Sequence, residues 1–305
     1  MNNMKKQTKI IAGVSATVLL FGAYLGLSPL VLSNFLLYLP TRVEDYGAIP
    51  LQTFGAKGEP VTFSAPAGNT LHGFFFDKPG ARYTVLLHHG QGGNLVTHFG
   101  LAKTMLLAGF SVLTYDYEGF GMSPGTASNK GMLQDGDAAY KFLVEQKKIP
   151  ASTIIQCGVS LGTGVASHVA ETHPCAAVIL ISPYMSINLV AVERIPLFTL
   201  YPSVLFPQPD MGSHSFIKSN QTIPVLIVHG ANDPIISAHH AQDLNALSRS
   251  PHWLILEPKA HHGDFSTTFL ADQIKLFAQR VLPDRASANG SSKRSDAETM
   301  LETIR

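Results

Sequence analysis

Gly158-Val159-Ser160-Leu161-Gly162 follows a β-like run at residues 153–157 and opens a helix-like run at 161–172. A serine in so tight a strand-to-helix turn has a strained backbone. The residues two positions to either side must be small, because a Cβ there would collide with the adjoining strand and helix. Gly158 and Gly162 meet that demand. The turn lifts the serine hydroxyl above the edge of a sheet, where the helix N-terminus and the Leu161 N–H face a developing oxyanion. The five-residue pattern alone is common by chance, and the strand before it and helix after it are what set it apart from a serine in an ordinary turn.

The rest of the chain alternates in the same way. β-like runs fall at 61–63, 71–76, 83–88, 111–115, 153–157, 176–181, 225–228 and 253–256, and helix-like runs at 95–107, 131–146, 161–172, 238–247 and 267–281. Such alternation predicts an α/β fold, a mostly parallel central sheet with helices on both faces. Val225-Leu226-Ile227-Val228 is apolar on both sides, as a central parallel strand must be. The pattern breaks over 184–221, where Pro196, Pro202, Pro207 and Pro209 interrupt a stretch rich in Leu and Phe; this reads as an insertion over one end of the sheet. Its Leu197, Phe198, Leu200, Val204, Leu205 and Phe206 suit either an acyl pocket or a packed cap. The catalytic domain is expected over 61–282 and a flexible, polar tail over 283–305.

A serine at its free pKa is a poor nucleophile and needs a base, which in turn needs a group to orient it. Asp233 lies just past the strand at 225–228, and His261 and His262 lie in the loop before the last helix. The order nucleophile, acid, histidine places Asp233 73 residues after Ser160 and His262 29 residues after Asp233. Taken singly, an Asp after a strand is more often a turn residue; three correct types at three strand ends are much harder to obtain by accident. The glycine-rich loop His89-Gly90-Gln91-Gly92-Gly93-Asn94 supplies a second oxyanion donor, the Gln91 N–H. It carries neither Gly-Lys-Ser/Thr nor G-x-G-x-x-G, so a phosphate cradle is disfavoured. The pairs His88-His89, His239-His240 and His261-His262 come without H-E-x-x-H or a carboxylate cluster, and no metal or other cofactor is expected.

Composition narrows the class further. The net charge of the 305 residues is +1, which disfavours a nucleic-acid partner. Charged residues are 14%, against about 25% in ordinary globular proteins, and 45% are apolar, which points to contact with lipid. Two cysteines, Cys157 and Cys175, exclude a disulfide scaffold. Lys5, Lys6 and Lys9 precede an uncharged run that lasts from Ile10 to Arg42. As a helix, residues 10–32 would span roughly 34 Å, enough for a bilayer core of about 30 Å. The expectation is a cytoplasmic segment 1–9, a transmembrane anchor or signal sequence 10–32, a linker 33–60 and a non-cytoplasmic catalytic domain on a single-pass membrane protein.

Leu86 to Asn94, Tyr115-Asp116-Tyr117-Glu118-Gly119-Phe120-Gly121-Met122-Ser123, Gly158 to Gly162, Ser182-Pro183-Tyr184, His229 to Asp233 and His262-Gly263-Asp264 together resemble the α/β-hydrolase superfamily. Within it they are most similar to the membrane-anchored serine hydrolases that include lysophospholipases, monoacylglycerol lipases and acyl-protein thioesterases. The resemblance implies a Ser-Asp-His triad of Ser160, Asp233 and His262, no cofactor, and an ester or thioester substrate, often a lipid. It selects His262 over His261, because the family histidine usually precedes an acidic residue by two positions and Asp264 stands there. The family commonly carries Asn where Gln91 stands and Arg where Glu118 stands. A peptidase of the same fold is the alternative enzyme, and a non-catalytic binding protein of the fold the alternative outside enzymology.

Overall fold

The computed structural model describes residues 2–47 and 49–282; the expected tail at 283–305 lies outside the described residues. Two helices, α1 (Asn2–Gly26) and α2 (Pro29–Leu36), precede a short strand β1 (Leu39–Pro40). An antiparallel ribbon follows: β2 (Gln52–Thr53), β3 (Ala56–Ser64) and β4 (Thr70–Asp77). The chain then alternates through β5 (Thr84–His88), β6 (Gly92–Gly93), α3 (Phe99–Ala108), β7 (Ser111–Tyr115), α4 (Asn129–Lys141), β8 (Ile154–Val159), α5 (Gly162–Thr172) and β9 (Ala177–Ile181). The inserted segment carries α6 (Ile187–Arg194) and α7 (His214–Ser219), and the domain closes with β10 (Val225–Gly230), α8 (His239–Leu247), β11 (His252–Glu257) and α9 (Thr267–Val281).

The main sheet has the order β11-β10-β9-β8-β5-β7-β4-β3-β2. From β11 to β7 every pair is parallel, and antiparallel pairing begins at β4. Strands β5, β7, β8, β9 and β10 are buried along their whole length, which requires apolar residues on both faces. Their side chains alternate. Val85, Leu87, Ile155, Cys157, Ile179, Leu226 and Val228 pack with α3 and α9 on one face, while Val178, Leu180, Val225 and Ile227 meet α5, α7 and α8 on the other. The parallel strands all end on one edge, and the loops leaving β5, β8, β10 and β11 there carry the residues singled out above.

Two boundaries moved for local reasons. The helix expected from residue 95 starts at Phe99, because the Asn94 side chain accepts from the Val96 and Thr97 amides and closes a turn there. The helix expected to run to 146 ends at Lys141 and finishes as a π-helical turn over Phe142–Gln146.

The N-terminal expectation is corrected. Among the described residues no helix is long and apolar enough to cross a membrane. The apolar run at 10–32 is divided between two helices, since α1 stops at Gly26 and the chain turns before Pro29. From Ile10 to Gly26 the helix rises roughly 25 Å at about 1.5 Å per residue, short of a hydrocarbon core of about 30 Å. The last turn of α1 is docked on the insertion: Tyr24 stacks on Tyr201 with ring centroids 4.4 Å apart, and its hydroxyl donates to the Leu200 carbonyl at 3.2 Å. The transmembrane helix, the membrane as a partner and the single-pass location with a non-cytoplasmic domain are therefore withdrawn.

One buried carboxyl ties the loop after β7 to α4. Asp135 accepts from the Glu118 N–H at 2.8 Å. Burial, reinforced by the nearby Glu118 charge and opposed by that amide, pushes its pKa up to about 7. The folded protein thus holds a proton that the unfolded chain releases near its ordinary value of about 3.9, so this group's contribution is full below that value and is lost as pH rises through about 7. Asp135→Asn is expected to flatten the decline in urea-unfolding free energy between acidic and mildly alkaline pH; an unchanged slope would show that the carboxyl ionises freely in the fold.

Candidate active site

Ser160 has a φ of +51°, in the left-handed region that L-residues seldom adopt. The strain is held in place by its surroundings. The Ser160 amide donates to the Ile181 carbonyl at 2.9 Å, and its own carbonyl accepts from the Thr163 amide at 2.9 Å and the Thr163 hydroxyl at 2.7 Å. Both flanking glycines are required by contact: a Cβ on Gly158 would strike the Gly162 and Thr163 backbone, and one on Gly162 would strike the carbonyl oxygens of His88 and His89.

The loops after β10 and β11 bring their residues to this serine. His262 Nε2 lies 2.9 Å from Ser160 Oγ, and His262 Nδ1 lies 2.7 Å from Asp233 Oδ2. A carboxylate only accepts, so Nδ1 carries the ring proton and Nε2 presents a lone pair to the serine hydroxyl. Asp233 is fixed from behind, with Oδ1 accepting from the Ile235 and Ile236 amides at 2.8 and 2.9 Å. Burial alone would raise the Asp233 carboxyl, but hydrogen bonds from His229, His262 and the Ile236 amide outweigh it and hold the group ionised well below the usual carboxylate range. His261 points elsewhere: its Nδ1 meets Asp264 at 3.1 Å and the side chain is 59% exposed. Asp264 thus pairs with His261 and not with the histidine two positions before it.

His229 stands near the end of β10, in the His229 to Asp233 stretch that carries the resemblance, but the sequence assigned it no role of its own. It is wholly buried, its Nε2 sits 2.9 Å from the Ile236 carbonyl and 3.4 Å from Asp233 Oδ2, and it braces the turn that carries the acid.

Gln91 and Leu161 border the same opening as Ser160. The Gln91 loop closes directly over the serine, since a Cβ on Gly90 would lie 3.5 Å from the Ser160 Cβ. Two cavities meet at Ser160. One, of about 320 Å³, is apolar and runs under the insertion, walled by Leu161, Val190, Ala191, Ile195 and Phe198. The other, of about 360 Å³, is more polar and includes Thr97, His98, Thr104, His262 and Thr267.

The side chains of the remaining histidine pairs are bonded to groups other than the serine. His88 is buried in the core between Tyr115 and Gln156, and burial lowers its pKa to about 4. His239 and His240 face Glu193 of α6, with ligand-type atoms within 4.8 Å of one another. The Met185 N–H donates to His240 Nδ1 at 3.4 Å, which leaves the ring proton on Nε2, directed at Glu193 at 3.0 Å. The group is bonded as a link between α6 and α8, with that nitrogen committed as a donor.

Residues 79–215 match the family model described as Hydrolase_4: Serine aminopeptidase, S33. The chain is 31% identical over 255 residues to the protein YfhR of Salmonella typhimurium, covering 78% of this chain and 83% of that protein. It is 30% identical over 234 residues to alpha/beta hydrolase domain-containing protein 17C of Mus musculus, covering 73% and 69%. Among solved structures, the Pyrococcus furiosus esterase Pf2001 superposes with a TM-score of 0.66 at 19% identity, over 81% of this chain and 99% of that one. Acetyl xylan esterase 1 from a Thermoanaerobacterium species does so with a TM-score of 0.60 at 16% identity, over 79% and 87%. These matches support an α/β-hydrolase of esterase or lipase type; none is named as a member of the membrane-anchored branch implied by the motif resemblance, and no described helix is long and apolar enough to cross a membrane.

The contact argument for the elbow has a direct check. Gly162→Ala is expected to displace the Ser160 turn from the loop after β5 and to remove at least about 99% of fluorophosphonate labelling, in the range seen when oxyanion geometry is lost. Full labelling in a folded Gly162→Ala protein would mean that the turn tolerates a Cβ.

Proposed function

The chain belongs to the α/β-hydrolase family and is a hydrolytic enzyme, and from that premise we propose that it cleaves carboxylic ester or thioester bonds by acyl transfer to Ser160. The observation that carries the reading is the hydrogen-bonded line Asp233–His262–Ser160 standing where an apolar cavity meets a polar one.

In this mechanism Ser160 Oγ attacks the carbonyl carbon while His262 Nε2 takes the hydroxyl proton. Asp233 stays ionised, keeps the imidazole in the Nδ1–H tautomer and stabilises its cation. The carbonyl oxygen becomes an oxyanion against the Gln91 and Leu161 amides. Collapse expels the alcohol or thiol, which leaves with the proton returned by His262, and a water activated by the same nitrogen then releases the acid. The apolar cavity takes the acyl group, in the manner of pockets that bury a ligand's apolar part and fix it with few polar groups. The polar cavity takes the leaving group and the water. A lipid-like or other acylated substrate fits this division.

An aminopeptidase would have to hold a substrate ammonium. Among the described residues neither cavity is lined by a carboxylate that could do so, which favours the ester reading over the peptidase one. A binding protein without catalysis would have no need of an acid, base and serine in hydrogen-bond register.

Ser160→Ala is expected to abolish fluorophosphonate labelling and to lower ester hydrolysis by about four to six orders of magnitude; labelling that survives would remove Ser160 from the mechanism. The histidines should separate cleanly. His262→Ala is expected to lose nearly all turnover of a p-nitrophenyl ester, and His261→Ala to keep a substantial part of it, with the reverse result assigning the base to His261.

A further inference from the structure

The segment before the hydrolase domain forms one wall of the apolar cavity. Pro29, Leu36 and Leu37 line it together with Ser160, facing Ile195 and Phe198 of the insertion. None of the three belongs to the sheet or to the helices that cover it.

This wall is pinned at both ends. On its C-terminal side β1 pairs in parallel with β6, Leu39 against Gly92 and Pro40 against Gly93. The Leu39 amide donates to the Gln91 carbonyl at 3.1 Å, the Thr41 amide to the Gly93 carbonyl at 2.8 Å, and Asn94 Nδ2 to the Thr41 carbonyl at 3.2 Å. Tyr38, buried between wall and strand, donates from its hydroxyl to Asn129 at 2.5 Å. Upstream, Ser28 is buried, and Leu32 and Tyr24 pack on the Phe198–Tyr201–Phe206 cluster of the insertion. Leu36 and Leu37 therefore sit on a short tether between two fixed points, and the first residue beyond them, apart from Tyr38, is bonded to the loop of the Gln91 oxyanion donor.

We infer that residues 29–41 are part of the active site, with Leu37 and its neighbour Leu36 setting the length of acyl chain that the cavity accepts. The inference rests on the ester reading above. A wall held by main-chain hydrogen bonds cannot swing aside for a longer chain, so the volume of its side chains decides where the chain must stop. Discrimination by a methylene or a ring in a hydrophobic pocket amounts to about 10–200-fold in kcat/KM, large enough to measure with a homologous series.

The test compares p-nitrophenyl acetate, octanoate and palmitate on the full chain. Leu37→Trp is expected to lower the octanoate-to-acetate ratio of kcat/KM by about tenfold or more, and Leu37→Ala to raise the palmitate-to-octanoate ratio by a similar factor. The second variant keeps the test decisive if the tryptophan is not accommodated. Ratios that stay within about twofold of the wild type, or a loss shared equally by all three esters, would overturn the inference and reduce the segment to a structural role while leaving the ester reading in place. A wild-type chain that hydrolyses none of the three would overturn the ester reading, and this inference with it.

Discussion

The left-handed backbone of Ser160 is the constraint on which the rest of the site depends. Such a φ costs on the order of 1–3 kcal/mol and persists only when neighbouring structure over-determines it. Here β8 delivers the chain, the Ile181 carbonyl at the end of β9 takes the serine amide, and α5 begins so close to the end of β8 and to His88 and His89 after β5 that only glycine fits at 158 and 162 respectively. Parallel pairing of β5, β8 and β9 makes these contacts unavoidable, since it ends the three strands on one edge. Extended two strands further, to β10 and β11, the same edge carries Asp233 and His262 within reach of the serine.

The legible part of this arrangement follows from periodicity and from chemistry that only certain residues can perform. Fully apolar runs such as Val225 to Val228, short and rich in β-branched residues, suit central parallel strands, so the alternation of strands and helices was legible. Gly158 and Gly162 announce a steric demand that no larger residue meets, which singles out Ser160, and the order of residue types after it makes Asp233 and the His261–His262 pair its candidate partners. The adjacency of His261 and His262 was not resolvable from spacing, because neighbouring side chains diverge and spacing alone does not say which one turns inward. The structure sorts them by partner: His261 is held outward by Asp264, and His262 inward by Asp233. The role of His229 was not legible for a different reason. A buried histidine that only braces a carboxylate looks like any other strand-end residue until the loop has closed around it.

The N-terminal reading went astray on an ambiguity of composition. An uncharged run says that a segment avoids water; it does not say what shields it. By length alone residues 10–32 suffice for one span, yet Pro29 cannot continue the helix that precedes it without losing a hydrogen bond and crowding the turn behind, and the chain bends there. Once bent, Tyr24, Leu32, Leu36 and Leu37 find the insertion and the cavity beside Ser160. Hydropathy sums over a window are blind to such a break.

The same bend explains why the insertion and the N-terminus have to be considered together. The Phe198–Tyr201–Phe206 cluster is small, and three aromatic rings at the rim of a sheet would leave apolar area in water without a second layer. Tyr24 and Leu32 supply that layer. The insertion in turn grips the loop after β10: Arg194 of α6 donates to the carbonyls of Pro234 and Ile235, the two residues that follow Asp233. A chain of contacts therefore runs from α1 and α2 through the insertion to the Asp233 loop, while β1 runs from the same segment to the Gln91 loop. The Asp233 loop and the Gln91 loop are thus both tied to one stretch of chain, which also lines the apolar cavity beside Ser160.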